Sequence, residues 1–156
     1  MNPQPGKTRF YKRSHFVTHL PVTAVYSPSH SWLLREETGL CRVGLTKFAT
    51  RMLGELVDHS LESDPGSPVG IGEIIGWVEG FKAISDIYAI AKGEFVRSNP
   101  ALAKNIALVS DEPYGEGWLY EVRGEPDPRC LDVEAYSGVL DATIDKILED
   151  EKDEGN

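Results

Sequence analysis

The chain has 156 residues, 40% of them hydrophobic, and a formal net charge of −9. That length suits one domain with tails and a modest core. The acidic balance excludes a general nucleic-acid binder, because phosphate binding requires a basic face, and no uninterrupted apolar run approaches the roughly 20 residues of a membrane span.

No charged-then-apolar leader suggests secretion. Cys41 and Cys130, the only cysteines, do not make a disulfide framework. A cytoplasmic location is expected. Residues 1–35 contain Lys7, Arg9, Lys12, Arg13 and Arg35 and no acid. This start is poor in serine and lacks an amphipathic pattern, which argues against an organelle presequence. Residues 1–24 are therefore expected to form a flexible or surface-draped basic extension. His15 and His19 stand four apart, a metal-binding spacing on a helix, but no acids or cysteines accompany them and no metal site is expected.

Residues 26–45 read as two strands joined by a turn near Thr38-Gly39, with Cys41 alternating into the interior. Residues 46–53 read as a short helix with Thr46 as N-cap and Gly54 as stop. Residues 56–61 read as a strand ended by Ser63-Asp64-Pro65-Gly66, a strong turn signal. Two apolar runs follow, Ile74-Ile75-Gly76-Trp77-Val78 and Ile84, Ile87, Tyr88, Ile90, with Gly80 between them. They read as a β-hairpin with Lys82 where the chain reverses. A lysine at such a tip has its ammonium in water, open to an enzyme that must acylate one lysine and ignore the rest.

Beyond the hairpin, a turn is expected at Lys92-Gly93 and a strand over 94–97, which Asn99-Pro100 interrupts. One loose helical turn over 101–106 precedes the Glu112-Pro113-Tyr114-Gly115 loop, and residues 118–122 form the last strand. After Asp127-Pro128 the period changes. Val133, Tyr136, Leu140, Ile144 and Ile147 give a helix an apolar stripe, with Asp132 as its cap. The expected organisation is a domain over 25–126, a packed C-terminal helix within 127–148 and a frayed acidic tail over 149–156. Many short strands with frequent turns predict a mainly β fold, a small sandwich or flattened barrel.

Several segments together resemble the glycine cleavage H-protein family. Tyr26-Ser27-Pro28-Ser29-His30-Ser31-Trp32 looks like the family's opening motif, and Val43-Gly44-Leu45-Thr46 with Leu53-Gly54-Glu55 like the strand and turn after it. Gly72-Glu73, Gly76, Val78-Glu79, Lys82-Ala83 and Ser85-Asp86 look like its attachment hairpin. Gly93-Glu94, Asn99 and the run Glu112-Pro113-Tyr114-Gly115-Glu116-Gly117-Trp118-Leu119 complete the likeness, which spans residues 25–123.

The resemblance implies a barrel-sandwich hybrid that carries lipoate on Lys82 and catalyses nothing itself. It implies that Glu79 helps lipoate-attaching enzymes choose the lysine, and that Ser29, Ser31 and Asp86 form a cleft for the loaded arm. Implied partners are a pyridoxal-phosphate glycine decarboxylase, an aminomethyltransferase and dihydrolipoyl dehydrogenase, visited by a monomeric carrier. Such a tether replaces diffusion with a high effective concentration at each partner. Two positions depart from the family pattern. Ser31 stands where the family has glutamate, and Gly80-Phe81 where it commonly has Ser-Val. Two other readings stay open: an H-like lipoate carrier of another pathway, such as bacterial sulfur oxidation, and an unmodified interaction domain of the same fold. A biotin carrier fits poorly, because Phe81 and Ala83 occupy positions where methionines flank the lysine.

Overall fold

The computed structural model describes residues 6–154. Its strands are β1 (Thr8–Arg13), β2 (Phe16–Pro21), β3 (Val25–Tyr26), β4 (Ser31–Arg35), β5 (Leu40–Leu45), β6 (Leu56–Leu61), β7 (Pro68–Val69), β8 (Ile74–Gly80), β9 (Ile84–Tyr88), β10 (Ala91–Ser98) and β11 (Tyr120–Pro126). The helices are α1 (Lys47–Leu53), α2 (Leu108–Asp111) and α3 (Val133–Glu154), with a 3-10 turn at Pro100–Ala103. Strands β3-β4-β5-β11-β10-β7 form one antiparallel sheet, and β6-β8-β9 form a second. Leu33, Val43, Phe95 and Val122 of the first pack with Leu56, Val78 and Ile87 of the second in one buried core. This is the mainly β sandwich the sequence predicts, with the expected short helix and C-terminal helix. Among the described residues no helix is long and apolar enough to cross a membrane.

Local chemistry fixes the elements around the hairpin. Thr46 caps α1, its hydroxyl accepting from the Ala49 amide at 3.3 Å, and Gly54 ends the helix at φ +78°. Asp132 caps α3 by accepting from the Ala135 amide at 2.8 Å. Tyr136, Leu140 and Ile144 then face inward at four-residue steps. They join Phe16, Leu20, Trp32 and Phe48 in a second, aromatic core, in which Tyr26 stacks on Tyr136 with ring centroids 4.6 Å apart.

The basic start departs from expectation. Instead of a flexible extension, β1 and β2 pair as a hairpin on α3. The period-2 pattern of β2 explains it: Phe16, Thr18 and Leu20 are buried while Val17 and His19 face out. The basic and acidic chain ends also meet. Tyr11 donates to Asp141 at 2.7 Å, and Arg13 pairs with Asp145 at 2.8 Å and Asp141 at 3.2 Å. His15 and His19 therefore sit on a hairpin, not one face of a helix, and His19 lies against Phe10. Residues 1–5 lie outside the described residues.

Three further expectations are corrected. Residues 149–154 continue α3 rather than fraying, while 155–156 lie outside the described residues. Lys92-Gly93 is no turn but lies inside β10, where Gly93 admits the Arg123 carbonyl that would stand 2.1 Å from an added Cβ. The strand placed at 118–122 begins later and runs to Pro126 as β11. The short helix α2 had no apolar period long enough to announce it.

Candidate functional site

Lys82 stands in the β8–β9 connection. The strands are in register through Glu79 opposite Ile84, Val78 opposite Ser85 and Trp77 opposite Asp86. The Gly80 amide donates to the Ala83 carbonyl at 2.8 Å and closes the turn. Two more amides anchor the tip to the end of α1: Phe81 donates to the Glu55 carbonyl at 3.0 Å and Lys82 to the Leu53 carbonyl at 2.9 Å. Gly80 serves this close approach rather than a left-handed turn. Its φ is not positive, and an added Cβ would stand 2.1 Å from the Leu53 carbonyl oxygen. The main chain of Lys82 is thus held while its side chain, like that of Phe81, is exposed.

Beside the tip lies a cleft of about 320 Å³. One wall is the turn carrying Ser29 and His30 with Ser31 at the start of β4; another is α1 through Ala49, Met52 and Leu53; the third is Ala83 of the β8–β9 connection with Ile84 and Asp86 of β9. The sequence-predicted Ser29, Ser31 and Asp86 therefore meet around one space, although distant in the chain. The serine turn is self-braced: the Ser29 amide donates to Ser27 Oγ at 3.2 Å, and the two hydroxyls are 2.7 Å apart. Glu79 does not line the cleft; it is exposed on β8, opposite Asp58 and Ile84.

His30 sits in the left-handed region at φ 73° and lines the same cleft. Its Nδ1 is 2.8 Å from the Tyr136 hydroxyl, which itself donates to Thr46 Oγ1 at 2.9 Å. The Tyr136 oxygen must then accept from His30, which places the proton on Nδ1. Burial pushes the imidazole down to about 4, so the ring is neutral at physiological pH.

The apolar walls were missed in the sequence. Ala49, Met52 and Leu53 share a helix face by their three- and four-residue spacing, and that was the signal available. Lined this way, the space suits an alkyl chain with a small polar or cationic end. Among the described residues no group of three or more histidines, cysteines or acids is arranged to hold a metal.

Residues 24–138 match the model of the glycine cleavage H-protein family. The chain belongs to that family. It is 42% identical over 123 residues to the glycine cleavage system H protein of Corynebacterium jeikeium, covering 77% of this chain and 96% of that protein. An Escherichia coli O45:K1 H protein is 36% identical over 128 residues, 80% of this chain and 98% of its own length. A solved H-protein structure from Mycobacterium marinum superposes with a TM-score of 0.70 at 35% identity, covering 76% of this chain and 97% of that one. As a family member the chain is a non-catalytic carrier of the glycine cleavage system. The β1–β2 hairpin and the last part of α3 lie outside the matched segment.

Proposed function

We propose that Lys82 carries lipoate as an amide on Nζ and that the adjoining cleft shelters the loaded arm. The observation that carries this reading is a lysine at a hairpin tip, its main chain anchored to Leu53, beside a slot lined by Ser29, Ser31 and Asp86. When attached, lipoate supplies a dithiolane able to accept an aminomethyl group from a pyridoxal-phosphate glycine decarboxylase. An aminomethyltransferase and dihydrolipoyl dehydrogenase would be the further partners of a carrier loaded in this way.

The chain's own residues position and protect. Anchoring at Leu53 and Glu55 fixes where the arm begins, so each partner meets it at a constant place. The Ala49, Met52 and Ile84 walls keep water from the alkyl stretch, and the serine hydroxyls and the Asp86 carboxylate hold the ammonium end. Asp86 is the one carboxylate among the described residues that line the cleft. It carries the charge complementarity that Ser31 does not supply. Neutral His30 adds no repulsion toward a cation. Glu79, exposed beside the tip, is available to the lipoate-attaching enzymes that must distinguish Lys82 from other lysines.

Intact-mass analysis of protein from its own host tests the attachment. A lipoyl adduct that disappears in Lys82→Ala is expected, and bare native protein overturns the proposal. A glycine-dependent exchange assay with a matching decarboxylase tests the pathway. Lipoylated protein that never accepts the aminomethyl group would move the assignment to another lipoyl-dependent system.

A further inference from the structure

A second groove adjoins Lys82. It has a volume of about 390 Å³ and an apolar floor of Phe16 from β2, Phe48 and Met52 from α1, and Ile144, Ile147 and Leu148 from α3. Lys82 itself lines it, so an arm on this side chain starts beside the groove. Two of its three walls, β2 and the later turns of α3, lie outside the family-matched segment. Met52 lines both spaces and stands between them.

The two spaces differ in charge. The cleft holds the Asp86 carboxylate among hydroxyls. Among the described residues that line it, the groove has the Arg13 and Arg51 guanidiniums, His15 and the Glu151 carboxylate on its rim. Arg51 leans over the Phe16 ring, 5.8 Å from its centroid, and Arg13 is held by Asp145 and Asp141. A cationic amine gains from Asp86 in the cleft, whereas at this rim the carboxylates already face guanidiniums, Asp141 and Asp145 being paired with Arg13, and offer it little. A neutral cyclic disulfide on an alkyl chain needs no carboxylate. It finds instead the aromatic pair Phe16 and Phe48, 5.5 Å apart and edge-on, which suits sulfur.

We infer that the groove is a second berth for the arm on Lys82, taking it in the neutral disulfide form while the cleft takes the cationic, loaded form. This rests on the carrier reading above. Loading then moves the arm across Met52, and the hairpin and the extended α3 shield the resting disulfide from reductants other than the cognate enzyme.

Nuclear magnetic resonance of the full chain, with and without enzymatically attached lipoate in its oxidised state, tests it. Amide shifts are expected at Phe16, Phe48, Ile147 and Leu148. Leu148 is 41% exposed, so Leu148→Glu leaves folding intact, as its melting curve will check, while placing a charge in the groove. It should abolish those shifts and speed reduction of the disulfide by a small phosphine several-fold. Shifts confined to Ser31 and Asp86, or an unchanged reduction rate, overturn the second berth and leave the carrier reading standing. Failure of the chain to accept lipoate at all overturns both.

Discussion

The amide of Lys82 donates to the carbonyl of Leu53, the last residue of α1, across 2.9 Å. That bond makes the position of an exposed side chain a property of the fold. The residue between this helix end and the Glu55 anchor, Gly54, has φ +78°, and an added Cβ would stand 2.9 Å from Lys82 Cγ and 3.2 Å from its amide nitrogen.

Gly54→Ala therefore strains the backbone and presses on the lysine at once. A loss of about 1–3 kcal/mol is expected, with slower lipoate attachment to Lys82. Thermal melts and an attachment time course followed by mass spectrometry check this. Unchanged attachment kinetics in a destabilised variant would show that the anchor serves stability alone.

Ser31→Glu restores a carboxylate where the H-protein family has one. The new group lies across the cleft from β9, whose Asp86 otherwise carries the negative charge alone. A charge-assisted hydrogen bond of about 1.5–3 kcal/mol corresponds to retention of the aminomethyl group improved roughly 10-fold or more. Asp86→Asn should act in the opposite direction. The readout is the rate of ammonia and formaldehyde release from loaded protein; equal rates in all three forms exclude the cleft as the shelter.

Much of this site is legible in the sequence. Gly80, Lys82 and the flanking apolar runs encode a hairpin locally, and the Thr46 and Gly54 caps encode α1 within one turn. Ser29, Ser31 and Asp86 came together on family likeness, since no local pattern joins a turn to a strand so far along the chain. The second groove was hidden for a related reason. Phe16, Phe48 and Ile144 belong to three elements, and each reads singly as core. The charges of the hairpin β1–β2 mask its alternation in the sequence: Phe16, Thr18 and Leu20 bury one face whatever the charge of Lys12 and Arg13. Nor did the sequence announce Glu121, buried in β11 and bonded to both Arg42 and Arg97.

That hairpin should be held by its aromatic anchor more than by its ion pairs. Arg13 and Asp145 face solvent, where pairing contributes little and salt screens it. Phe16 is 6% exposed and packs on Phe48. Phe16→Ala should cost about 3 kcal/mol and release the amides of β1 and β2 to rapid hydrogen exchange, while β8 and β9 stay protected. Arg13→Ala should change exchange only slightly. A larger effect from Arg13 than from Phe16 would reverse this ranking.

Acid should loosen the wall of the cleft through His30. The ring is neutral in the folded protein, pushed down to about 4 from an ordinary value of 6.5. The unfolded chain binds its proton first as pH falls, so stability is complete above about 6.5. It declines toward pH 4 and then levels off, with a contribution of up to about 3 kcal/mol. Asp127 and Asp145, both held below the ordinary carboxylate value of 3.8 by an arginine partner, lose their contribution only at lower pH. His30→Asn keeps a residue that tolerates the left-handed backbone and an amide that can donate to Tyr136, but it cannot titrate. Its melting temperature should vary less than that of the parent between pH 7 and 4.5; parallel curves would assign the acid sensitivity to other groups.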